Sequence, residues 1–287
     1  MIKVVTDTDA NMPADVVRAY DIRAAAIQII FGAEVLREDY EIDMQGTIER
    51  VRAGAPLPKT SQPPPGEFKA IYEELLAEDP TCTILSIHVS GGVSGTVNTA
   101  LQTAALFPEA DIRVFDSKAA STAQALMVRQ AAVMAERGSS AETILAALEH
   151  MRETMQVYFA VSTLEYLARG GRIGGASRLM GEVLSIKPIL TFTPGGTLDA
   201  YSRQRTWRRA LARLVEMVKA EAHAPAGYAL HLGVAHVACP EDGQAIYEEL
   251  AGALTPQVAL LSEVGPGLGV HIGPGALGVC WAFAPCV

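Results

Sequence analysis

Aromatic residues are scarce in this sequence: Phe, Trp and Tyr make up 6% of its 287 positions. Burial therefore falls to Ala, Val, Leu and Ile, and any internal cavity should have aliphatic walls. Cysteine is rare as well. Cys82, Cys239, Cys280 and Cys286 form no C-x-x-C pair and no ladder, which argues against a disulfide framework and reads as a reduced, cytoplasmic chain. The phosphate-loop pattern G-x-x-x-x-G-K-[ST] is missing. His231 and His236 lie five positions apart in a strand-like run, so they point to opposite faces and make poor co-ligands for a metal. The opening MIKVVTDTDA lacks the apolar stretch of a secretory signal. Residues 265–287 contain no Asp, Glu, Lys or Arg, yet they are broken by Gly265, Pro266, Gly267, Gly269, Gly273, Pro274, Gly275 and Gly278. That pattern argues against an integral membrane segment and for loops with a buried strand.

Hydrophobic residues fill 49% of the chain, and 287 residues are enough for two domains. The net charge of −9 makes nucleic acid an unlikely partner. The excess is uneven: residues 1–155 hold 13 basic and 22 acidic residues, whereas 165–213 holds nine basic and three acidic. This local basic stretch could meet an acidic partner.

Periodicity divides the chain near residue 155. In the first part β-branched runs alternate with helical patterns: strands at 2–6, 22–31, 83–89 and 112–115, helices at 13–20, 43–51, 67–77, 96–106, 119–136 and from about 140 to 154. Asn11 is a candidate cap for the first helix, and Ser139 with Glu142 suggests a capping box for the last. This reads as an α/β domain, 1–155, with a parallel sheet flanked by helices. The second part offers strands at 157–162, 188–192, 197–202, 228–238, 258–264 and 276–282, with helices at 176–184, 205–221 and 241–253. Pro194-Gly195-Gly196 suggests a hairpin, so 156–287 reads as an α+β domain with a mixed or antiparallel sheet.

Five segments could carry chemistry. Ser90-Gly91-Gly92-Val93-Ser94-Gly95-Thr96 joins a strand to a helix. Its glycines permit close backbone approach, Ser94 and Thr96 add hydroxyls, and the helix start adds free N–H groups, which together make an anion cradle without formal charge. Ser or Thr at such a place is most often a simple cap. Thr60 and Ser61 sit on the loop 54–66, stiffened by five prolines; alone this reads as a surface turn, but it could hold a hydroxyl in place. His271 lies among glycines and prolines, in a loop shaped to place an imidazole that can donate to a carboxylate. The run around Arg169-Gly170-Gly171-Arg172 could position a guanidinium or simply end a helix. The run Tyr201 to Arg209, with Arg205, could be a docking face or the exposed side of a helix. Asp7 and Asp9 could hold a cation, but capping the next segment is the commoner role.

VVTDTDANMP, KTSQPPPGEF, SGGVSGT, VFDSKAAS, STLEYLARGGRIG, VLSIKPIL, GGTLDAYSRQRTWRRAL and VHIGPGALGV occur in an order that resembles the DegV family of fatty-acid-binding proteins, over nearly the whole chain. The resemblance implies a lipid tunnel at the interface of two domains and a non-catalytic carrier in bacterial phospholipid metabolism. It also implies a partner kinase that phosphorylates the carboxylate of a bound long-chain fatty acid such as palmitate. No other cofactor and no metal is implied. The family's head-group residues fall on Thr60 and Ser94, with Ser61, Gly95 and Thr96 beside them. The family's histidine falls on His271. Arg205, with Arg169 and Arg172, falls near the head group or the kinase-facing mouth. A different reading is a serine hydrolase of lipid esters, since Ser94, Asp116 and His271 follow the chain order of a nucleophile-elbow triad; the turn, however, reads G-x-S-G rather than G-x-S-x-G.

Overall fold

The computed structural model of the chain describes residues 1–180 and 186–286. The first sheet contains β1 (Ile2–Asp7), β2 (Arg23–Ala25), β6 (Thr83–His88) and β7 (Asp111–Asp116), all parallel, in the order β2-β1-β6-β7. The central strands β1 and β6 are buried on both faces over most of their length, as their apolar runs require. Val5 and Ile84 pack toward Phe68, Tyr72 and Leu75 of α3 (Pro65–Glu78) and Ala100 of α4 (Thr96–Ala104). Val4, Leu85 and Ile87 pack the other way, on α5 (Thr122–Glu136) and α6 (Ala141–Thr154).

The second sheet runs β10-β9-β8-β13-β11-β12. It is built from β8 (Gln156–Ala160), β9 (Lys187–Phe192), β10 (Leu198–Gln204), β11 (Tyr228–His236), β12 (Val258–Glu263) and β13 (Leu277–Pro285). All its pairs are antiparallel except β11 with β12, so the expected mixed sheet is present. Leu214, Met217 and Val218 of α8 (Trp207–Glu221) and Ile246 and Leu250 of α9 (Pro240–Leu254) cover one face. Helices α5 and α6 serve the other side as well: Leu126, Met127, Ile144 and Leu148 share one apolar cluster with Leu260, Cys280 and Ala282. This double duty explains α5, which is apolar around most of its circumference and buries eleven of its fifteen residues.

Several expectations need correction. Residues 22–31 are not one strand. The chain turns at Ala26–Ile27, and β3 (Gln28–Phe31) joins β4 (Glu34–Arg37) and β5 (Lys59–Ser61) in a third, antiparallel sheet. The proline-rich loop 54–66 therefore contains a strand, since its prolines flank Lys59–Ser61 rather than interrupt it. The glycine-rich segment after 265 contains a short helix, α10 (Pro266–Ile272), with proline in its first turn, where no N–H is needed. Ser140, not Ser139, caps α6, accepting from the Thr143 N–H at 3.2 Å. Asn11 does not cap a helix start; it closes a 3-10 turn, Thr8–Ala10, at φ +48°, and α1 (Ala14–Ala19) follows Pro13. Of the helix expected at 176–184, the described part is a 3-10 turn, Gly174–Leu179, and 181–184 lie outside the described residues. Val183, Leu184 and Ser185 of the VLSIKPIL motif lie outside them too. Among the described residues no helix is long and apolar enough to cross a membrane.

Candidate functional site

In the first sheet, the connection after β1 leaves toward β2 and that after β6 toward β7, so the two loops diverge and leave a crevice at the carboxyl ends of the strands. The 3-10 turn carrying Asp9 forms one side, and the Ser90–Gly95 turn the other. The second sheet closes the crevice with Val157 and Phe159 of β8, alternate residues that share a face, and with their cross-strand partners Cys280 and Gly278 of β13. The result is a cavity of about 200 Å³. A single water needs only about 10–15 Å³ of such space, so the cavity is sized for an organic molecule rather than an ion. Its walls are mostly aliphatic, as the shortage of aromatics requires; Phe159 and Phe192 are the only Phe, Trp or Tyr residues among those lining it.

The pocket gathers residues from distant parts of the chain. Strand β5 holds Thr60 and Ser61 against β3, with Thr60 opposite Ile29. The last turn of α10 places His271 so that Nε2 lies 2.7 Å from Thr60 Oγ1. The imidazole fits because residue 170 is glycine: a Cβ there would fall 2.1 Å from Nδ1. Burial, with Arg172 second, pushes the His271 pKa down to about 4, so the ring is neutral at pH 7. In the facing turn, Ser94 Oγ is 2.8 Å from Thr96 Oγ1 and also accepts weakly from the Thr96 N–H at 3.4 Å. Gly95 lies against the Gln62 side chain, and Gln62 donates to Thr99 Oγ1 at 3.2 Å, tying the Thr60 loop to α4. Arg172 donates to the carbonyls of Gly170 and Val93 at 2.6 and 3.3 Å, linking the end of α7 (Glu165–Gly170) to the same turn.

Of the sequence-derived candidates, Thr60, Ser61, Ser94, His271 and Arg172 line the pocket. Thr96 is buried behind Ser94 and, with Gly95, does not line it. Arg169 and Arg205 are exposed and outside it. The triad is not assembled: Ser94 pairs with Thr96, His271 with Thr60, and Asp116 accepts from the Gly91 and Lys118 N–H groups at 3.2 and 2.9 Å. Nothing in this arrangement supports the hydrolase reading. Among the described residues no cluster is arranged to hold a metal ion.

The acidic groups beside the pocket neither cap a helix nor stand as the simple pair the sequence suggests. Asp7 does not cap; its carboxylate accepts from His88 Nδ1 and the Val89 N–H at 2.9 and 3.0 Å. Asp9 reaches the pocket wall. Glu38, fully buried, accepts from the Thr8 hydroxyl and from the Gly267 N–H at 2.7 Å. Burial, followed by the Asp39 charge, pushes its pKa to about 8, and burial with the charges of Glu38 and Asp7 holds Asp9 well above the carboxyl range. The pair Asp7 and Asp9 was visible in the sequence, but nothing signalled that Glu38 joins them.

The family model described as an uncharacterised protein of the DegV family matches residues 1–284. Protein DegV of Bacillus subtilis is 36% identical over 284 residues, covering 98% of this chain and 99% of that protein. A crystal structure of Bacillus subtilis DegV, described as a fatty acid binding protein, superimposes with a TM-score of 0.89 at 35% identity over 98% of this chain and 99% of that one. A Thermus thermophilus DegV family protein, whose structure is described in terms of fatty acid binding, gives the same TM-score, 0.89, at 35% identity over 98% and 99%.

Proposed function

Because this chain belongs to the DegV family, we propose that it is a carrier that encloses one long-chain fatty acid, such as palmitate, with the carboxylate held by Thr60 and Ser94. The observation that carries this reading is the joining of an aliphatic cavity to a set of uncharged donors: the Thr60 and Ser94 hydroxyls and a neutral His271. A C16 chain has about 14 methylenes at about 0.8 kcal/mol each, or roughly 11 kcal/mol of gross driving force. Association opposes this by about 4–15 kcal/mol, so tight binding demands that nearly the whole tail leave water. A buried carboxylate must also be hydrogen-bonded. If His271 Nε2–H donates to Thr60 Oγ1, the Thr60 hydroxyl hydrogen is free to turn to the ligand. In this reading the tail lies between two domains that divide near residue 155, and the chain itself performs no chemistry.

The finer proposal is that the bound carboxylate is presented to a fatty-acid kinase. It is supported by the exposed basic residues Arg169, Arg205, Arg208 and Arg209, which stand outside the pocket where a protein could meet them. Native mass spectrometry of the chain purified from bacteria tests the carrier reading. A C14–C18 acid should co-purify, and a bare protein that takes up no added fatty acid would defeat it. For presentation, Arg205→Glu should slow acyl-phosphate formation by a kinase while fatty-acid affinity holds; equal loss of both would place Arg205 at the head group instead.

A further inference from the structure

Two buried polar atoms on the pocket wall have no hydrogen-bond partner among the described residues: Oδ1 of Asp9 and Oγ of Ser121. Asp9 is 4% exposed. Ser121 occupies the N-cap position of the fifteen-residue α5, where serine normally turns back to cap, yet its side chain makes no cap bond. Its backbone is held at φ +54°, ψ −139°, a conformation that non-glycine residues avoid and that tends to cluster at ligand sites. The Ser121 N–H donates to the Asp9 carbonyl at 2.9 Å, so the two residues are fixed side by side.

We propose that Asp9 and Ser121 form a second polar subsite that receives a hydroxyl group carried on the acyl chain, making hydroxy fatty acids a ligand class of this protein. The inference rests on the fatty-acid reading above and adds to it. A hydroxyl both donates and accepts, and here it meets a serine hydroxyl, a carboxyl and the start of a long helix. A second ligand carboxylate does not fit, because Asp7 and Glu38 already crowd Asp9 with acidic groups. The same crowding and burial favour the acid form of Asp9, which can donate to the incoming oxygen as well as accept from it.

Position separates this subsite from the head-group grip. A Cβ on Gly267, in the first turn of α10, would fall 2.4 Å from Asp9 Oδ1. His271 closes the last turn of the same helix, about 6 Å farther along its axis. The preferred hydroxyl therefore lies a few carbons in from the carboxyl end.

The test is a competition assay in which stearic acid and its 3-, 6- and 12-hydroxy derivatives displace a fluorescent fatty acid from the full chain. At least one hydroxy isomer should bind at least about tenfold more tightly than stearic acid, the scale of one satisfied buried polar group. In Ser121→Gly or Asp9→Ala that ratio should fall to near one. Glycine suits the Ser121 backbone, so this variant removes the hydroxyl with little risk to the fold, and a thermal melt verifies both variants. Hydroxy isomers that bind no more tightly than stearic acid, or a preference that survives in both variants, would overturn the subsite and leave the carrier reading standing. If no acid of either kind binds, the carrier reading itself fails and the subsite with it.

Discussion

Oγ1 of Thr60 and Nε2 of His271 are 2.7 Å apart although 211 positions separate them in the chain. The contact joins a three-residue strand of the small third sheet to a seven-residue helix that follows the last parallel strand. Neither element has a core of its own large enough to fix the pair. The geometry of the grip is therefore set by the surrounding fold.

Thr60→Val keeps the shape of the side chain and removes its hydrogen bond. On the proposed role, the affinity for palmitate should fall by about 1.5–3 kcal/mol, the range for a hydrogen bond to a charged group, or roughly ten- to a hundredfold. Titration calorimetry reads this directly, and an unchanged dissociation constant would remove Thr60 from the head-group site.

Gly170→Ala places a methyl group where the His271 ring now lies, 2.1 Å from Nδ1. The ring must swing away from Thr60. The variant should stay folded by circular dichroism yet lose affinity about as much as His271→Ala does. Wild-type affinity in Gly170→Ala would mean that the placement of the imidazole is immaterial to binding.

Glu38 sets a pH dependence. Its folded pKa, about 8, is raised above the ordinary 4.5, so the fold favours the acid form. The stability it contributes is complete below about pH 4.5 and is lost as pH rises through about 8. Thermal melts across this window should show the melting temperature dropping toward alkaline pH, with Asp9 acting in the same direction. Glu38→Gln, which carries no titrating group, should flatten the slope; an identical slope in wild type and variant would refute the assignment.

Ser121→Gly should raise the stability of the ligand-free chain. A residue at φ +54° with ψ −139° is relieved by losing its Cβ, a gain of about 0.5–1 kcal/mol once the greater freedom of unfolded glycine is counted. Chemical denaturation measures it, and a less stable variant would show that the Ser121 hydroxyl holds the fold together.

Much of the fold was legible because its signals are local. Strands β1, β6, β8, β11, β12 and β13 are largely apolar runs, and α8 and α9 carry the period of half-buried helices. The pocket-lining residues Thr60, Ser94 and His271 stood out because glycine and proline surround them. What stayed hidden depends on distant partners. Strand β5 exists only because β3 offers it an edge, and Lys59-Thr60-Ser61 carries no strand signal of its own. Helix α10 has two glycines in seven residues, Gly267 and Gly269, and Gly273 follows at its end, a composition that reads as loop; close contacts with Asp9, Glu38 and Met44 require those small residues. Asp9 looked like a cap because a carboxyl at a strand end usually is one, and its burial came from a helix more than 250 positions away.

Helix α5 is shared by both large sheets, so neither sheet owns a finished hydrophobic face. The consequence concerns unfolding rather than binding. A chain cut after residue 155 would bare Leu260, Cys280 and Ala282 on one fragment and Leu126 and Leu148 on the other. Neither half is then a self-sufficient foldon, and the intact molecule should melt in one cooperative step despite its two-sheet build.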